Sequence, residues 1–453
     1  MSEELIIKEI DENREEYINF LKELVQTNSY NPPGNEKNVA VKIKNYLQEA
    51  DINCEIIPFG ENRANLVAFL NDDLEGNNLL FNGHMDVVPP GTEKEWRFHP
   101  LSANIRRKKI MYGRGTADMK SALAAMVISL KILKKLGAKI SGNLILNAVA
   151  DEETGGNLGT GWCLENIFKK RNIKCGFTVI GEPTGLRPLP KAIILGEKGR
   201  MELKIVTNGI SGHASIPFSG KNAIYMMNEI IQNFNKIDDY IPKVLPPIPE
   251  EEIKDLISEV FPSKQRFEEI FAEQPLLQNV VKSISTFTRS LTMIKGGVKA
   301  NVIPDYCEAY TDIRLLPGQN PEDILKAIKK VIEDLGYPIK NEPTGEPEEI
   351  FVYIEVTSLS EPSFWKEWES SEDLKSFYSI IKEIYENPPF YFLFPASADA
   401  NFYRNSDFCP ATVLFGPGSA LSAHAVNEYV EIDDYIKAIK VYALFAFEFL
   451  KPT

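Results

Sequence analysis

Four apolar stretches of the sequence each end in, or lead directly to, a polar side chain that can bind a metal ion. LLFNGH ends in His84, NLILNAVA is followed by the acidic run at 151–153, FTVIG is followed by Glu182, and ATVLFG leads through a glycine-rich loop to His424. Imidazole and carboxylate groups are the ligands that zinc and similar divalent ions take in the absence of thiolates. The sequence therefore indicates metal-dependent chemistry at positions far apart along the chain.

Each candidate also has a purely structural interpretation. Asp118 lies in GRGTADMK, where a long helical pattern begins, and aspartate is a favoured helix N-cap. Glu152 and Glu153 could be a solvated loop, and a histidine at a strand end is more often a hydrogen-bonded structural residue. The chain has only four histidines, however, and two of them fall at such strand ends. That coincidence favours a shared metal site.

The elements that must position these residues alternate between strand and helix. Apolar strand patterns and helical patterns such as DMKSALAAMVISLKILKKLG follow one another from residue 1 to about 198 and again from about 359 to 453. This alternation predicts an α/β domain with a mixed, mostly parallel sheet flanked by helices. In such sheets, ligands bind at the carboxyl ends of the strands.

Between these two parts, the pattern changes. The segment 199–358 is predicted to contain β-α-β-β-α-β in that order, which is the ferredoxin-like unit, with a Pro- and Glu-rich insertion between about 238 and 280. We therefore expect a catalytic domain formed by 1–198 and 359–453, and an inserted lid or dimerisation domain at 199–358.

Composition excludes several classes of function. The net charge of −14 and the pI of about 5.1 disfavour nucleic-acid binding. The five cysteines form no CxxC pair, which disfavours a thiolate metal site or a disulfide framework. No long uncharged apolar run or signal peptide is visible. We expect a cytoplasmic protein that acts on a small molecule, without nucleic-acid or membrane partners.

Several motifs in a fixed order resemble one known family. They are GHMDVVPPG, WRFHP, YGRGTADMKS, ADEETGG, GEPTG, SGHAS, GGVKANVIP, DIRLLPG and FGPG followed by AHAVNE. The set is similar to the zinc metallopeptidases and amidohydrolases that include acetylornithine deacetylase, succinyl-diaminopimelate desuccinylase, aminoacylase and glutamate carboxypeptidase. The resemblance covers nearly the whole chain.

The resemblance implies a centre with two Zn²⁺ ions, for which Co²⁺ or Mn²⁺ could substitute. The residues that match the family's metal ligands are His84, Asp118, Glu153, Glu182 and His424. Asp118 would bridge the ions, His84 and Glu182 would complete one site, and Glu153 and His424 the other. Among the catalytic residues, Glu152 matches the general base, and Asp86 is expected to hold the second ring nitrogen of His84.

The resemblance also implies residues on the substrate side. His213 matches the histidine that stabilises the oxyanion, often from a partner subunit, and Asn301 and Arg314 match substrate-binding positions. Arg314 could clamp a substrate carboxylate. A homodimer through the inserted domain is expected. Relatives often carry Thr/Ser-Asp-Ala-Arg near the C-terminal strand, whereas this chain has Asn401 in place of the arginine.

Together these features predict a co-catalytic dizinc hydrolase that cleaves an amide bond in N-acyl amino acids or short peptides. The alternative is a specific biosynthetic deacylase, either an acetylornithine deacetylase or a succinyl-diaminopimelate desuccinylase. A non-catalytic binding protein on the same fold is a remote alternative, because no ligand position is missing.

Overall fold

The computed structural model of the chain describes residues 2–71, 74, 76–187, 189–342 and 349–452. All the candidate site residues lie within these ranges. The helices of this part of the chain are α1 Glu3–Glu12, α2 Arg14–Gln26, α3 Glu36–Gln48, α4 Lys120–Lys135, α5 Ala223–Asn233, α6 Glu250–Ser258, α7 Lys264–Ala272, α8 Pro275–Ile284, α9 Pro321–Asp334, α10 Glu372–Tyr385, α11 Ala400–Arg404 and α12 Ile432–Phe449.

The strands are distributed over the whole length of the chain. They are β1 Asn53–Pro58, β2 Ala64–Phe69, β3 Asn78–His84, β4 Asn104–Arg106, β5 Ile110–Tyr112, β6 Leu144–Val149, β7 Cys175–Ile180, β8 Ala192–Glu197, β9 Gly199–Asn208, β10 Gly212–His213, β11 Thr288–Gly296, β12 Val302–Ile303, β13 Tyr306–Leu315, β14 Ile339–Lys340, β15 Phe351–Ser360, β16 Ser363–Phe364, β17 Phe390–Phe394, β18 Thr412–Leu414 and β19 Tyr429–Glu431.

The larger sheet has the strand order β1-β2-β6-β3-β7-β18-β8-β16, and β17 also pairs with β8. Its four central strands, β6, β3, β7 and β18, are parallel to one another. Every residue of β3 and β6 is buried, as expected for strands covered on both faces. Helix α4 packs against both α12 and β3. The prediction of a mixed sheet flanked by helices is confirmed.

The second sheet has the order β11-β13-β9-β15-β14. Its four long strands are antiparallel neighbours, and α5 and α9 cover one face of the sheet. Strand β9 accordingly alternates between buried and half-buried residues over most of its length. This is the predicted ferredoxin-like unit, and its other face remains open to contact the catalytic domain.

The helices α6, α7 and α8 lie within the segment predicted as the inserted domain but pack elsewhere. Their buried apolar residues belong to the large core of the catalytic domain, and α6 contacts β17. Lys198, at the junction of the two domains, donates hydrogen bonds to the carbonyls of Ser283, in the last turn of α8, and of Thr286, just after it. The chain therefore leaves the inserted sheet, joins the larger core and returns.

None of the helices in the described part of the chain combines the length and apolar character that a membrane span requires.

Candidate metal centre

His84 is the last residue of β3, and its ring is 1 % exposed. Its Nδ1 lies 2.8 Å from the backbone carbonyl of Asp86, so Nδ1 must carry the proton that this acceptor requires. A neutral ring then presents the lone pair of Nε2 to Asp118 Oδ1, only 2.9 Å away. Two lone pairs at this distance need a shared proton or a cation between them.

The carboxylate of Asp86 does not have the geometry expected from the sequence. Its Oδ1 is 3.7 Å from His84 Nδ1, which is too far for a hydrogen bond. It instead accepts hydrogen bonds from Asn31 Nδ2 and from the backbone amides of Glu152 and Glu153. The peptide N–H groups after β6 are closer than the imidazole, so Asp86 holds its histidine through its main chain and the acidic loop through its side chain.

Asp118 lies between the two candidate histidine ligands. Its Oδ1 faces His84, and its Oδ2 is 3.2 Å from Nε2 of His424. The backbone amide of Asp118 donates to Glu428, which also forms a buried ion pair with Arg114 at 2.7 Å. One carboxylate therefore offers one oxygen to each side, as a bridging ligand must.

Glu153 and Glu182 lie on opposite sides of this bridge. Glu153 Oε2 is 3.0 Å from His424 Nε2. Glu182 Oε1 is 3.7 Å from His84 Nε2, and it is buried without any hydrogen-bond partner among the described residues. An ionised oxygen without a partner is costly to bury unless a cation binds it.

Glu152 is next to this cluster but makes no hydrogen bond from its carboxylate to a described side chain; its Oε2 is 3.9 Å from His84 Nε2. The preceding residue, Asp151, has a φ of 72°, in the left-handed region. Its carboxylate accepts hydrogen bonds from Thr154 Oγ1 and the amide of Leu158 and approaches Arg63 within 3.3 Å. This network holds the turn that sends Glu152 and Glu153 in different directions.

The electrostatics of the cluster also favour a cation. Burial raises the pKa values of Glu152 and Glu182 well above their usual range, and neighbouring acids raise them further. Hydrogen bonds to Asp118 and Glu153 raise the pKa of His424 to about 10. Because the pKa values of the two glutamates and of the histidine are all raised, the electrostatic potential of the site is strongly negative. Divalent ions would neutralise it, so the residues present fit a metal centre.

A cavity of about 510 Å³ opens in front of this cluster. It is lined by Asp118, Glu152, Glu153, Glu182 and His424 of the catalytic domain and also by Arg314 of the inserted domain, so each domain forms one wall.

His213 and Asn301 do not line the cavity. They are exposed neighbours on the inserted domain, where the amide of Ala214 donates to the carbonyl of Asn301.

Some residues of the site were not predicted from the sequence. Arg200 and Asp399 line the same cavity, and Arg114 with Glu428 links the loop of Asp118 to that of His424. Arg114 also donates to the carbonyl of His424. The sequence signals that could have indicated them are the motif GRG for Arg114, the motif NE for Glu428, and the altered Ser-Ala-Asp-Ala-Asn element for Asp399. Arg200 lies in none of these motifs.

Asn401 lies in the cavity wall, where its amide donates to Ser360 Oγ and to the carbonyl of Ala398. Arg404, one turn later, is buried and donates to the carbonyls of Thr412 and Ile194, away from the cavity. Arg404 therefore does not replace the arginine that relatives often carry at position 401.

The fold and the site define an enzyme of the amidohydrolase and peptidase class. The chain belongs to peptidase family M20/M25/M40, and the match to the family's sequence pattern covers residues 80–448. This family is metal-dependent, and His84, Asp118 and Glu153 are close enough together to hold an ion.

Relatives and solved structures agree with this assignment. A probable succinyl-diaminopimelate desuccinylase from Staphylococcus aureus is 27% identical and aligns over 97% of this chain and 98% of its own length. The crystal structure of a metallo-carboxypeptidase of the same family, Sso-CP2 from Sulfolobus solfataricus, has a TM-score of 0.76 at 20% identity, covering 96% of this chain and 99% of the other. The dipeptidase Dug1p from Saccharomyces cerevisiae has a TM-score of 0.74 at 17% identity, covering 99% of both chains.

Proposed function

We propose that the protein is a two-metal hydrolase that cleaves an amide bond in N-acyl amino acids or short peptides, with zinc as the expected metal. The observation that carries this proposal is the arrangement around Asp118, which faces both His84 and His424. Glu182 approaches the first histidine and Glu153 the second. Glu182 Oε1, which lacks a partner, supports a cation at this point.

Divalent ions bound here would supply Lewis acidity and lower the pKa of water toward 7. Glu152 would accept the proton of the attacking water and deliver it to the leaving nitrogen. Its carboxylate is suited to this role because it lines the cavity next to the cluster while its backbone amide is held by Asp86. The amide group of the substrate would lie between Glu152 and the wall that carries Arg314.

We further propose that a homodimer completes the site. Strand β11 is an edge strand, and its residues Leu291, Met293 and Ile294 are each more than two-fifths exposed. Phe218, close to His213 in the chain, is 98% exposed. An apolar open edge of this kind favours pairing with a second copy. His213 and Asn301 lie outside the cavity of their own chain. In a dimer, His213 would reach the partner's cavity and stabilise the oxyanion, and Asn301 would bind the substrate there.

A second candidate is a desuccinylase specific for one biosynthetic substrate. It is favoured by the full-length similarity to the probable desuccinylase of Staphylococcus aureus. The similarity in fold to a carboxypeptidase and a dipeptidase does not choose between the two candidates, since both reactions cleave an amide near a carboxylate.

The test is turnover of a substrate panel by metal-free protein and by protein loaded with Zn²⁺, Co²⁺ or Mn²⁺. The panel contains N-acetylornithine, N-succinyl-diaminopimelate, several N-acyl amino acids and several dipeptides. We expect metal-dependent hydrolysis of several N-acyl amino acids or dipeptides. Hydrolysis of N-succinyl-diaminopimelate alone would select the second candidate. Protein that binds no metal in excess zinc would contradict both.

A further inference from the structure

Four charged residues lie together on the open face of the inserted sheet, next to the catalytic cavity. Strand β9 contributes Arg200 and Glu202, and β13 contributes Asp312 and Arg314. The register places Arg200 directly opposite Arg314, and Glu202 directly opposite Asp312. Each cross-strand pair therefore joins like charges, an arrangement that destabilises a sheet unless something offsets it.

Ion pairs along each strand offset part of this repulsion. Arg314 contacts Asp312 through Nε at 2.7 Å and Nη2 at 3.1 Å, and Arg200 is paired with Glu202. The two acids do not line the cavity, whereas both arginines do. Arg200 Nε is buried and makes no hydrogen bond to a described residue; its nearest acid is Asp312, at 3.7 Å across the strands. The acids therefore orient the guanidinium groups without using all of their donors.

The surroundings of the two arginines suit an anion. Ser360, opposite Arg200 on β15, places a hydroxyl on the same wall. The catalytic domain contributes Glu152, Glu182 and Asp399 to the lining of the cavity, and these acids would repel an anion toward the arginines. Guanidinium groups bind carboxylates through paired N–H donors.

We propose that Arg200 and Arg314 together form a seat for one carboxylate of the substrate, and that Arg200 is thus a substrate-binding residue. This inference rests on the proposed function. Asp312 contacts both guanidinium groups and neutralises part of their mutual repulsion, and a substrate carboxylate bound by the remaining N–H donors would neutralise more of it. The seat and the candidate metal ligands line the same cavity but belong to different domains, so a carboxylate held in the seat would fix the position of the amide to be cleaved.

The experiment compares wild type with Arg200→Gln on the best substrate of the panel and on its carboxamide analogue, which lacks the negative charge. We expect KM for the carboxylate substrate to rise by about 10- to 100-fold, the effect of a lost hydrogen bond to a charged group. We expect KM for the carboxamide and kcat for both to change little. Lys204→Gln is the matched control, because Lys204 is a cation on the same face of β9, paired with Glu308, that does not line the cavity.

A second measurement separates the seat from the proposed reaction. Calorimetric titration with N-acetylglycine and N-acetylglycinamide needs no turnover, and we expect wild type, but not Arg200→Gln, to prefer the carboxylate. Equal preference in both proteins, or no preference in wild type, would overturn the seat. A wild-type protein that prefers the carboxylate yet hydrolyses nothing on the panel would contradict the proposed function and leave the seat supported. Arg200→Lys, which keeps the charge but loses the planar fork, should recover part of the preference.

Discussion

The two walls of the cavity are built in different ways. On the catalytic wall, His84 is 1% and Glu182 5% exposed, and both lie at or just after the ends of neighbouring parallel strands. The side chain of His424, which comes from a loop, is the exception at 53%. On the inserted-domain wall, the side chains of Arg200 and Arg314 are 39% and 25% exposed and are held mainly by acids on their own strands. Buried charges tolerate little change, while half-exposed ones can be exchanged at low cost. The catalytic wall is therefore suited to carrying out one type of reaction, and the inserted-domain wall to determining which substrate binds.

Asp118→Ala should have the largest effect, because it removes the carboxylate that faces both histidines. We expect loss of metal from both sites and turnover at the background level. Metal content after dialysis, measured by mass spectrometry of the elements, checks this directly. A variant that retains two ions per chain would contradict the bridge.

Glu152→Ala should leave the metal content unchanged and lower kcat by about 10²- to 10⁴-fold, the usual contribution of a general base. The Glu152 carboxylate accepts no hydrogen bond from a described residue, so its removal should not displace a metal ligand. Steady-state kinetics at full metal occupancy provide the measurement. Turnover close to that of wild type would remove Glu152 as the base.

His213→Ala should lower kcat by about 10²- to 10³-fold if its imidazole stabilises the oxyanion. Because His213 lies outside the cavity of its own chain, an intact His213 from the partner subunit should restore the activity of a dimer. Mixing unfolded His213→Ala and Glu152→Ala chains and refolding them together should restore about a quarter of wild-type activity, because half of the dimers are mixed and each has one complete site. No recovery in mixed dimers would place His213 in its own subunit or outside the reaction.

The contrast between the walls also explains what could be predicted from the sequence. The ends of β3, β6, β7 and β18 were visible because a buried apolar run followed by a ligand-type residue is a local pattern. The pairing of Arg200 opposite Arg314 could not be predicted in this way, because it depends on the register of strands more than a hundred residues apart.

Two further features depend on tertiary packing in the same way. Two of the three hydrogen-bond donors to the Asp86 carboxylate are backbone amides 66 and 67 residues away, which carry no side-chain signature. The third is the side chain of Asn31. The segment that forms α6 and α7 was interpreted from the sequence only as a Pro- and Glu-rich insertion, and no local pattern indicates which of the two cores its helices join.

The smallest effect should come from Glu428→Gln, which tests whether the catalytic wall depends on support behind its ligands. Glu428 Oε1 accepts hydrogen bonds from the amides of Ala117 and Asp118, and Oε2 pairs with Arg114, which in turn donates to the carbonyl of His424. A glutamine keeps the first set of bonds and loses the charge that Arg114 requires. We expect metal affinity to fall by about 10- to 100-fold, as for other residues that orient ligands, with kcat near that of wild type once the sites are saturated. Titration with a competing chelator measures the affinity. A change in kcat at saturation with unchanged affinity would mean that Glu428 acts on the reacting groups and not on the position of Asp118 and His424. The comparable substitution on the opposite wall, Glu202→Gln, should leave metal affinity unaltered, because Glu202 contacts Arg200 and no metal ligand.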